Sequence, residues 1–554
     1  MELLQDYLWR AADRDPDRTA LVMGDDRVSY GQLEGSTNRL ARFLRARGVG
    51  HGDRVCVLAP KSPATVAGML AVLKAQGAYV PIDSASPAPR IARIFASADP
   101  RLVLVDPTAA GRIDELIAEG GLAEDIPIGS VNGPATGERF EAEFAIADCW
   151  TESGDPLARR GSPGDIAHLL FTSGSTGNPK GVIITHANVV AFVDWAVAYF
   201  GTRATDRISG HPPLHFDLST FDIYGTFAAG AELHLVPPSL SVSPHALAGM
   251  IRDAQLTQWF SVPSVLTYMA KFDAVAQDDF PALERLLWCG EVLPTPVLIH
   301  WMRRLGHVRF TNLYGPTEAT IASSYYTVPQ CPRDDTEPVP IGAPCSGEEL
   351  IVLDERLAPV PDGEIGDLYI TGVGLSPGYW RDDERTAEVF VPDPRAPQRE
   401  LGIRGSTLST RRAIDPTARI YRTGDLARVG SGGLVEFLGR ADSQIKSRGY
   451  RIELGEIEAA LNAAEGVREC AVVGVDTGGF EGTTICCAYA TLEGVELTPV
   501  MLRRQLSTVL PAYMLPARWS RLDLLPKNVN GKIDRKQLRE RFEESRLARA
   551  GTTP

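Results

Sequence analysis

Short apolar runs and longer amphipathic segments alternate along the first part of the chain. Ser29 and Gln32 have the spacing of a capping box and predict the start of a helix. Leu33, Leu40 and Leu44 recur on one face of that helix. A second helix is predicted over 63–76, and buried strands over 19–23, 27–29, 54–58, 79–82, 166–171, 232–236, 258–262, 286–288 and 308–312. Strands that alternate with helices predict an α/β fold, with largely parallel sheets covered on both faces.

The pattern changes between residues 348 and 440. Short strands over 350–353, 367–371 and 434–438 are separated by Gly-rich turns, which predicts a β-subdomain. Within this region, 392–419 is rich in Pro and Arg and lacks periodicity, so a long surface loop is predicted. We expect its arginines to be solvated: Arg395, Arg399, Arg404, Arg411 and Arg412.

A small α+β module is predicted after Asp442. Its expected elements are helices over 453–462 and 499–510, strands over 469–476 and 483–492, and a turn over 528–531. The chain is therefore expected to divide into a large N-terminal core, residues 1–441, and a small mobile C-terminal domain, residues 442–554.

The composition narrows the possible classes of protein. The 554 residues are 44% hydrophobic and 23% charged, with a mean hydropathy of −0.08, which excludes disordered and fibrous chains. A net charge of −14 argues against a nucleic-acid partner. The N-terminus has no signal-peptide pattern and no apolar run is long enough to span a bilayer, so a cytoplasmic protein without a membrane partner is expected. The eight cysteines include no CxxC pair, which argues against a zinc site or a disulfide framework.

Charge is distributed unevenly along the chain. Residues 501–554 contain 12 Lys/Arg and 5 Asp/Glu, a net charge of +7, so the first 500 residues carry −21. A solvated basic helix would account for this excess, and so would a module that meets an acidic partner or a phosphate.

The segment LFTSGSTGNPKG (170–181) contains the clearest chemistry of the chain. A buried strand leads into a loop with three glycines, four Ser/Thr hydroxyls and Lys180. Backbone N–H groups in such a loop can converge on an anion, while the hydroxyls and the ammonium group bind it further. GxxxxGK[ST] is absent, so the loop is not a Walker A site, and we interpret it as a phosphate-binding loop of another kind.

This loop resembles the phosphate-binding signature of the adenylate-forming superfamily, which includes acyl-CoA synthetases, luciferases and the adenylation domains of nonribosomal peptide synthesis. Further motifs of the superfamily follow in its order: NLYGPTE (312–318), 372–380, YRTGDL (421–426), GRAD (439–442), QIKSRGYRIE (444–453) and NGKIDR (530–535). The resemblance covers essentially the whole chain. It implies that a carboxylate attacks the α-phosphate of ATP to give an acyl-adenylate, and that a thiol then displaces AMP.

The resemblance implies ATP as the nucleotide, with Mg²⁺. It assigns ATP binding to Thr172, Ser173, Ser175, Thr176, Lys180, Asn312, Tyr314, Gly315, Thr317, Asp425 and Arg440. Tyr314 would stack on adenine, Asn312 would read its amino edge, and Asp425 would accept hydrogen bonds from the ribose hydroxyls. Glu318 offers a hard oxygen ligand for Mg²⁺ between the phosphates.

Two residues carry implied roles in the C-terminal domain. Lys532 would reach the substrate carboxylate and the α-phosphate, where it offsets negative charge in the transition state. Asp442 matches the superfamily's hinge, about which the small domain turns between the half-reactions, removing Lys532 and bringing in the segment around Gly449. An Asp that caps a turn is the simpler interpretation of Asp442, and it is compatible with the hinge.

Asp217 distinguishes the subfamilies. Members that activate amino acids carry an Asp here that pairs with the substrate ammonium, whereas acyl-CoA ligases do not need one. A helix-capping Asp is the alternative interpretation, and Asp222 is the nearest rival.

The remaining pocket residues are all uncharged. By motif alignment they are Leu218, Phe221, Phe260, Leu287, Cys289, Leu313, Ile321 and Ala322. A charged substrate side chain would be desolvated there without a partner, and the two phenylalanines fill space, so a small neutral amino acid is expected. The segments 288–294 and 314–320 look like those of D-alanine–carrier protein ligases, which favours alanine; proline, glycine, serine and β-amino acids remain open.

A carrier protein is the expected acceptor. The chain contains no condensation domain and no Gly-Gly-x-Ser phosphopantetheine site, so a separate, acidic acyl carrier protein is expected in trans, attracted by the basic C-terminal module. An acyl-CoA ligase and a non-catalytic scaffold are the alternatives. Asp217 argues against the first, and the presence of Lys532, Glu318 and Asp425 argues against the second.

Overall fold

The computed structural model describes residues 2–174, 178–395, 418–442, 444–476, 483–528 and 533–550. It confirms the predicted fold class: a mixed α/β chain with a large N-terminal domain of parallel-type sheets and a smaller C-terminal β/α domain. Residues 396–417 of the predicted loop, with Arg399, Arg404, Arg411 and Arg412, lie outside the described residues, as do residues 529–531 of the predicted turn.

Two sheets form the N-terminal domain. Their strands are β1 (Thr19–Met23), β2 (Asp26–Ser29), β3 (Arg54–Leu58), β4 (Ala78–Pro81), β5 (Leu102–Val105), β6 (Ile128–Ser130), β7 (Phe144–Ala145), β8 (Ile166–Thr172), β9 (Lys180–Thr185), β10 (Arg207–Gly210), β11 (Glu232–Leu235), β12 (Gln258–Ser261), β13 (Arg285–Cys289), β14 (Arg309–Tyr314), β15 (Ser324–Thr327) and β16 (Ala343–Pro344). One sheet has the order β16-β15-β14-β13-β12-β10-β11-β1-β2 and the other β7-β6-β5-β3-β4-β8-β9. Both are parallel in their interior; the first sheet has antiparallel pairs at both edges, and the second has one at the β8–β9 edge only.

Helices cover both sheets. They are α1 (Leu4–Arg14), α2 (Tyr30–Ala46), α3 (Pro63–Lys74), α4 (Ala88–Ala98), α5 (Ala110–Ala118), α6 (His186–Phe200), α7 (Asp217–Ala229), α8 (Pro244–Asp253), α9 (Pro263–Lys271), α10 (Thr295–Arg304) and α11 (Asp383–Val389). The predicted capping box is present, since the Ser29 side chain accepts from the Gln32 N–H and the Gln32 side chain accepts from the Ser29 N–H. Helices α1, α2, α3, α6 and α7 contribute to one apolar core with strands of both sheets.

The predicted β-subdomain is an antiparallel sheet. Its strands are β17 (Glu348–Leu353), β18 (Gly366–Gly372), β19 (Phe390–Pro392), β20 (Arg419–Val429) and β21 (Val435–Arg440). Arg395 was expected to be solvated, and this prediction is wrong. Its guanidinium lies 2.5 Å from Glu349 and 2.9 Å from Asp393. The two carboxylates hold the Arg395 side chain in place. The Arg-rich composition of the segment does not reveal these ion pairs, because Glu349 lies outside it.

The C-terminal module, as the structure describes it from Gln444 onward, packs apolar side chains on both faces of one hairpin. Its elements are β22 (Gln444–Ser447), β23 (Tyr450–Glu453), α12 (Leu454–Asn462), β24 (Val467–Asp476), β25 (Thr483–Thr491), α13 (Pro499–Ser507), β26 (Arg518–Arg521) and α14 (Arg535–Ala550). Strand β26 pairs in parallel with β25. Among the described helices of the whole chain, none combines the length and apolar character needed to cross a membrane.

Candidate active site

The phosphate-binding loop connects two antiparallel strands. Thr172 ends β8 and lies opposite Lys180, the first residue of β9. Gly174 lies close to Asn178: a Cβ on Gly174 would stand 2.1 Å from the carbonyl oxygen of Asn178, so only glycine fits there. The hydroxyl of Thr172 is buried and has no hydrogen-bond partner within the described protein, which leaves it available to a ligand. Ser175 and Thr176 lie outside the described residues.

Glu318 lies fully buried beside this loop. One of its carboxylate oxygens accepts a 2.6 Å hydrogen bond from the Tyr379 hydroxyl and lies 3.5 Å from Lys180 Nζ. The other oxygen lies 2.6 Å from a guanidinium nitrogen of Arg451. Burial alone would raise the pKa of Glu318, but Arg451 and Lys180 hold it well below its usual range. Burial lowers the pKa of Lys180 to about 8.

The donor set around Glu318 fits the Mg²⁺ expected from the sequence. Mg²⁺ in nucleotide sites is held by one or two carboxylates, with water and phosphate oxygens completing the shell. The described residues contain no cluster of three His, Cys, Asp or Glu side chains able to hold a metal ion. Glu318 would be the carboxylate ligand, and Lys180 beside it, with Thr172 opposite Lys180 across the strand pair, would meet the phosphates that carry the ion.

Four predicted nucleoside-binding residues converge at the end of β14. The Tyr314 hydroxyl donates to one oxygen of Asp425, and Arg440 lies 2.7 Å from the other. The Asn312 amide donates to the carbonyl of Pro340 at 2.8 Å. Antiparallel pairing sets Asp425 opposite Arg440, so strands β20 and β21 fix this pair. Gly315 follows directly; a Cβ there would lie 2.6 Å from Cα of Ala322.

Asp217 begins helix α7 and faces the same strand end. The residue at the N-cap is Phe216, so Asp217 is not the capping residue considered from the sequence. Thr317 donates a 2.9 Å hydrogen bond to its carboxylate. Burial nevertheless raises the pKa of Asp217 to about 6. The rival Asp222 is buried elsewhere on α7, where Lys61 is the charged neighbour that acts on its pKa.

The predicted pocket residues form one buried cluster. Leu218, Phe221, Phe260, Leu287, Cys289, Leu313, Ile321 and Ala322 all belong to it. Phe221 lies at the centre, with ring centroids 5.8 Å from Phe260 and 5.4 Å from Phe192. Phe192 and Phe200, on helix α6, extend the aromatic wall behind the pocket. The cluster is apolar throughout, as the sequence predicts.

The C-terminal module lies against this site. The Gly449 N–H donates to Glu291 at 2.8 Å, and the ring of Tyr450 meets Phe216 at 4.9 Å. Lys446 Nζ lies 5.5 Å from the centre of the Tyr314 ring. The segment around Gly449 therefore faces the nucleoside and phosphate residues in this arrangement.

The predicted hinge residue closes a turn. Asp442 accepts from the Gln444 N–H at 3.0 Å and pairs with Arg440 at 2.5 Å. Arg440 thus bridges Asp425 of the ribose site and Asp442 at the start of the module. Lys532, the predicted catalytic lysine, lies outside the described residues.

Several residues of the site are not among those predicted. Arg451, Tyr379 and Glu291 contact predicted residues or the segment around Gly449 directly, and Phe192 and Phe200 wall the pocket. Arg451 lies inside the QIKSRGYRIE motif, which was the available signal. The phenylalanines have none, because they belong to a largely apolar helix that follows the 170–181 segment but lies outside every quoted motif.

Two family models match the chain: AMP-binding enzyme over residues 8–380 and AMP-binding enzyme C-terminal domain over 456–532. The chain is 33% identical over 540 residues to bacitracin synthase 1 of Bacillus licheniformis, covering 97% of this chain and 9% of that protein. It is 38% identical over 529 residues to CymA of Salinispora arenicola, a probable nonribosomal peptide synthetase, covering 95% of this chain and 6% of that protein.

The fold is shared with a solved protein of the same class. Holo-PA1221, an NRPS protein containing adenylation and PCP domains, aligns with a TM-score of 0.76 at 25% identity. The alignment covers 97% of this chain and 84% of that one. The chain thus spans nearly the whole of this structure, but less than a tenth of each of the two relatives above.

Proposed function

Because the chain belongs to the AMP-binding enzyme family, we propose that it activates a small neutral amino acid with ATP and transfers the aminoacyl group to a carrier-protein thiol. Alanine is the preferred substrate in this proposal. The observation that carries it is the position of Asp217, a carboxylate set beside a pocket whose other walls are apolar. An α-ammonium group satisfies that carboxylate, whereas a fatty or aryl acid leaves it desolvated without a partner.

The pocket supports a small side chain. Phe221 fills its centre and is itself backed by Phe192, so little depth is left. A proline ring is the second candidate, because it is apolar and compact, and no polar side chain in the cluster requires a hydrogen-bonding substrate. Serine would bury a hydroxyl among apolar side chains, which costs free energy.

In the first half-reaction we propose that an oxygen of the amino acid carboxylate attacks the α-phosphorus of ATP, and that the bond to the pyrophosphate oxygen breaks. Thr172, Ser173 and Lys180 bind the departing phosphates, and Lys532 stabilises charge at the α-phosphate. Asp425 and Tyr314 orient the nucleoside. Mg²⁺ held by Glu318, when bound, neutralises phosphate charge that would repel the carboxylate.

In the second half-reaction a thiolate attacks the aminoacyl carbonyl and AMP leaves. We propose the pantetheine thiol of a separate, acidic carrier protein as the nucleophile. Supporting observations are the carrier (PCP) domain in the related PA1221 and the net charge of +7 in residues 501–554. Opposite charges on the two partners speed their encounter.

A loading assay tests the acceptor. The protein is incubated with ATP, radiolabelled alanine and either a holo-carrier protein, the same carrier lacking pantetheine, or coenzyme A. We expect label on the holo-carrier only. Label transferred to coenzyme A at an equal rate would favour the acyl-CoA ligase, and no product with any acceptor or amino acid would favour a scaffold.

The charge argument has its own test. Arg504→Gln with Arg518→Gln removes two positive charges from the module, and Lys271→Gln with Arg303→Gln removes two from the N-terminal domain as a matched control. We expect the first pair to raise the KM for the carrier several-fold and the second to leave it unchanged. An equal KM for both pairs contradicts a carrier-steering role for the basic residues of 501–554.

A further inference from the structure

One buried carboxylate connects the two domains. Glu318 belongs to the N-terminal domain, and both of its oxygens are engaged, one by Tyr379 and Lys180, the other by Arg451 of the C-terminal module. Glu318 is completely inaccessible to solvent in this arrangement. A carboxylate in such a place needs a compensating cation, because an unpaired buried charge is strongly unfavourable.

Arg451 is held in place from several sides. Its guanidinium also lies 3.3 Å from the Tyr421 hydroxyl, and its carbonyl accepts a 2.7 Å hydrogen bond from Ser173 of the phosphate loop. Arg451 belongs to β23, so it reaches Glu318 only while the module lies in this arrangement. The contact that neutralises Glu318 is therefore tied to the position of the whole module.

The same carboxylate is the proposed ligand of Mg²⁺. In nucleotide sites a magnesium ion is usually bound through one or two carboxylate oxygens at about 2.0–2.1 Å, within a near-octahedral shell of water and phosphate oxygens. In this arrangement Arg451 occupies one oxygen, while Tyr379 and Lys180 occupy the other. A divalent ion beside two cationic side chains would be repelled by both.

We propose that Arg451 and Mg²⁺ compete for Glu318, so that this arrangement of the module excludes the metal–nucleotide complex. This inference rests on the proposed function and assigns Arg451 a positioning role in it. With Mg²⁺ on Glu318, Arg451 would be displaced, and the module would be free to bring Lys532 to the site. Without a metal on Glu318, Arg451 would balance its charge and stabilise the arrangement in which Gly449 faces the site.

A binding measurement separates this role from a structural one. The probe is Mn²⁺ with α,β-methylene-ATP, which cannot form an adenylate, and the free Mn²⁺ is followed by electron paramagnetic resonance. Arg451→Met removes the competitor, so we expect the Kd of the metal–nucleotide complex to fall by roughly tenfold through a population shift. Arg451→Lys retains a cation and should lie between wild type and Arg451→Met.

A neighbouring arginine supplies the control. Arg448 lies in the turn between β22 and β23, three residues before Arg451, is exposed, and makes no ion pair with the described residues. Arg448→Met should leave the Kd unchanged. Glu318→Gln should weaken binding and make the effect of Arg451→Met disappear in the double variant. An unchanged or higher Kd in Arg451→Met overturns the proposed competition.

The rate of thiol transfer is a second measurement: Arg451→Met should improve metal–nucleotide binding but impair transfer. Starting from preformed aminoacyl-adenylate and holo-carrier, Arg451→Met should slow transfer by roughly tenfold, because the arrangement that faces Gly449 to the site is less populated. Misfolding would weaken both metal–nucleotide binding and transfer, and that joint loss also overturns the inference.

Failure of the inference and failure of the proposed function give different results. If wild type binds the metal–nucleotide probe, and Arg451→Met tightens that binding, but no amino acid is activated, the competition stands while the function fails. If alanine is activated and the Kd of the probe does not respond to Arg451→Met, the function stands while the competition fails.

Discussion

Asp217 has the most specific task of any single residue in this site. It receives one hydrogen bond from Thr317, and no described cation pairs with it at ion-pair distance. Its partner is therefore expected to come with the substrate. We therefore propose that this residue distinguishes an amino acid from other carboxylic acids that the fold could activate.

Asp217→Asn keeps the size of the side chain and removes its charge. Loss of one member of a buried charge pair costs about 2–5 kcal/mol, so kcat/KM for the amino acid should fall by at least about 30-fold. The Kd for α,β-methylene-ATP should not change. Pyrophosphate exchange gives the kcat/KM for the amino acid, and equilibrium nucleotide binding gives the Kd. An unchanged kcat/KM would show that the ammonium group binds elsewhere.

The protonation of Asp217 predicts a pH dependence. Burial raises its pKa to about 6, and only the ionised form attracts an ammonium group. The kcat/KM for the amino acid should be flat above pH 6 and fall tenfold per pH unit below it. The profile of Asp217→Asn should lack this inflection, and an identical inflection in the variant would assign it to another group.

Not every residue of the site could be recognised in the sequence. Asp217, Glu318 and the pocket residues stand in ordered motifs, and the structure brings the described ones together. The sequence showed Arg451 only as a member of the QIKSRGYRIE motif and did not indicate its contact with Glu318, because Glu318 is 133 residues away along the chain. Such a contact depends on the packing of two domains, which local sequence patterns do not encode.

At the scale of elements, helices α6 and α7 set the depth of the substrate pocket. Phe192 of α6 meets Phe221 of α7 edge to face, at an interplanar angle of 89°. We therefore propose that the ring of Phe192 keeps Phe221 in place at the predicted substrate pocket. The sequence motifs identify only α7 as part of the pocket, because Phe192 of α6 lies behind Phe221.

Phe192→Leu should widen the range of substrates. With less support behind Phe221, the kcat/KM ratio of valine to alanine should rise by roughly tenfold, the effect of one or two methylene groups in an apolar pocket. Phe227→Leu is the matched control, since Phe227 lies on the same α7 but in the core between the sheets. If both variants change the ratio equally, the effect comes from general loosening of α7.

The elements themselves were predictable where burial and caps are regular. The strand at 54–58 agrees with Arg54–Leu58, and the capping box at Ser29 fixes the start of α2. Strand β26 was missed because its sequence, Arg-Trp-Ser-Arg, has no apolar alternation and its side chains are only partly buried. It forms by parallel pairing with β25, a partner that is distant in sequence.

At the scale of the whole molecule, we expect two parts of the C-terminal module, the segment around Gly449 and Lys532, to occupy the candidate active site alternately. The described arrangement presents Gly449 and Arg451 to it. Lys532 belongs to the same C-terminal module by sequence, and we propose that it enters when the module turns about Asp442. We propose that the basic residues within 501–554 of this module then serve both phosphate chemistry and the approach of an acidic carrier.

Lys532→Ala tests whether Lys532 acts in adenylate formation and not in thiol transfer. Adenylate formation should fall by at least about a hundredfold, because a positioned charge at the transferring phosphate is lost. Transfer from preformed adenylate to the carrier should stay near the wild-type rate. Single-turnover measurements of the two steps give both rates, and an equal loss in both would contradict the assigned role.

The central claim is that this chain activates a small α-amino acid, and amino-acid-dependent ATP–pyrophosphate exchange tests it most directly. The substrates are small L-, D- and β-amino acids, with proline, each compared with its des-amino analogue, so that alanine is set against propionate. We expect exchange to be highest with alanine, or with proline as the second candidate, and near background with propionate. Equal exchange with propionate, or none with any amino acid, would contradict it.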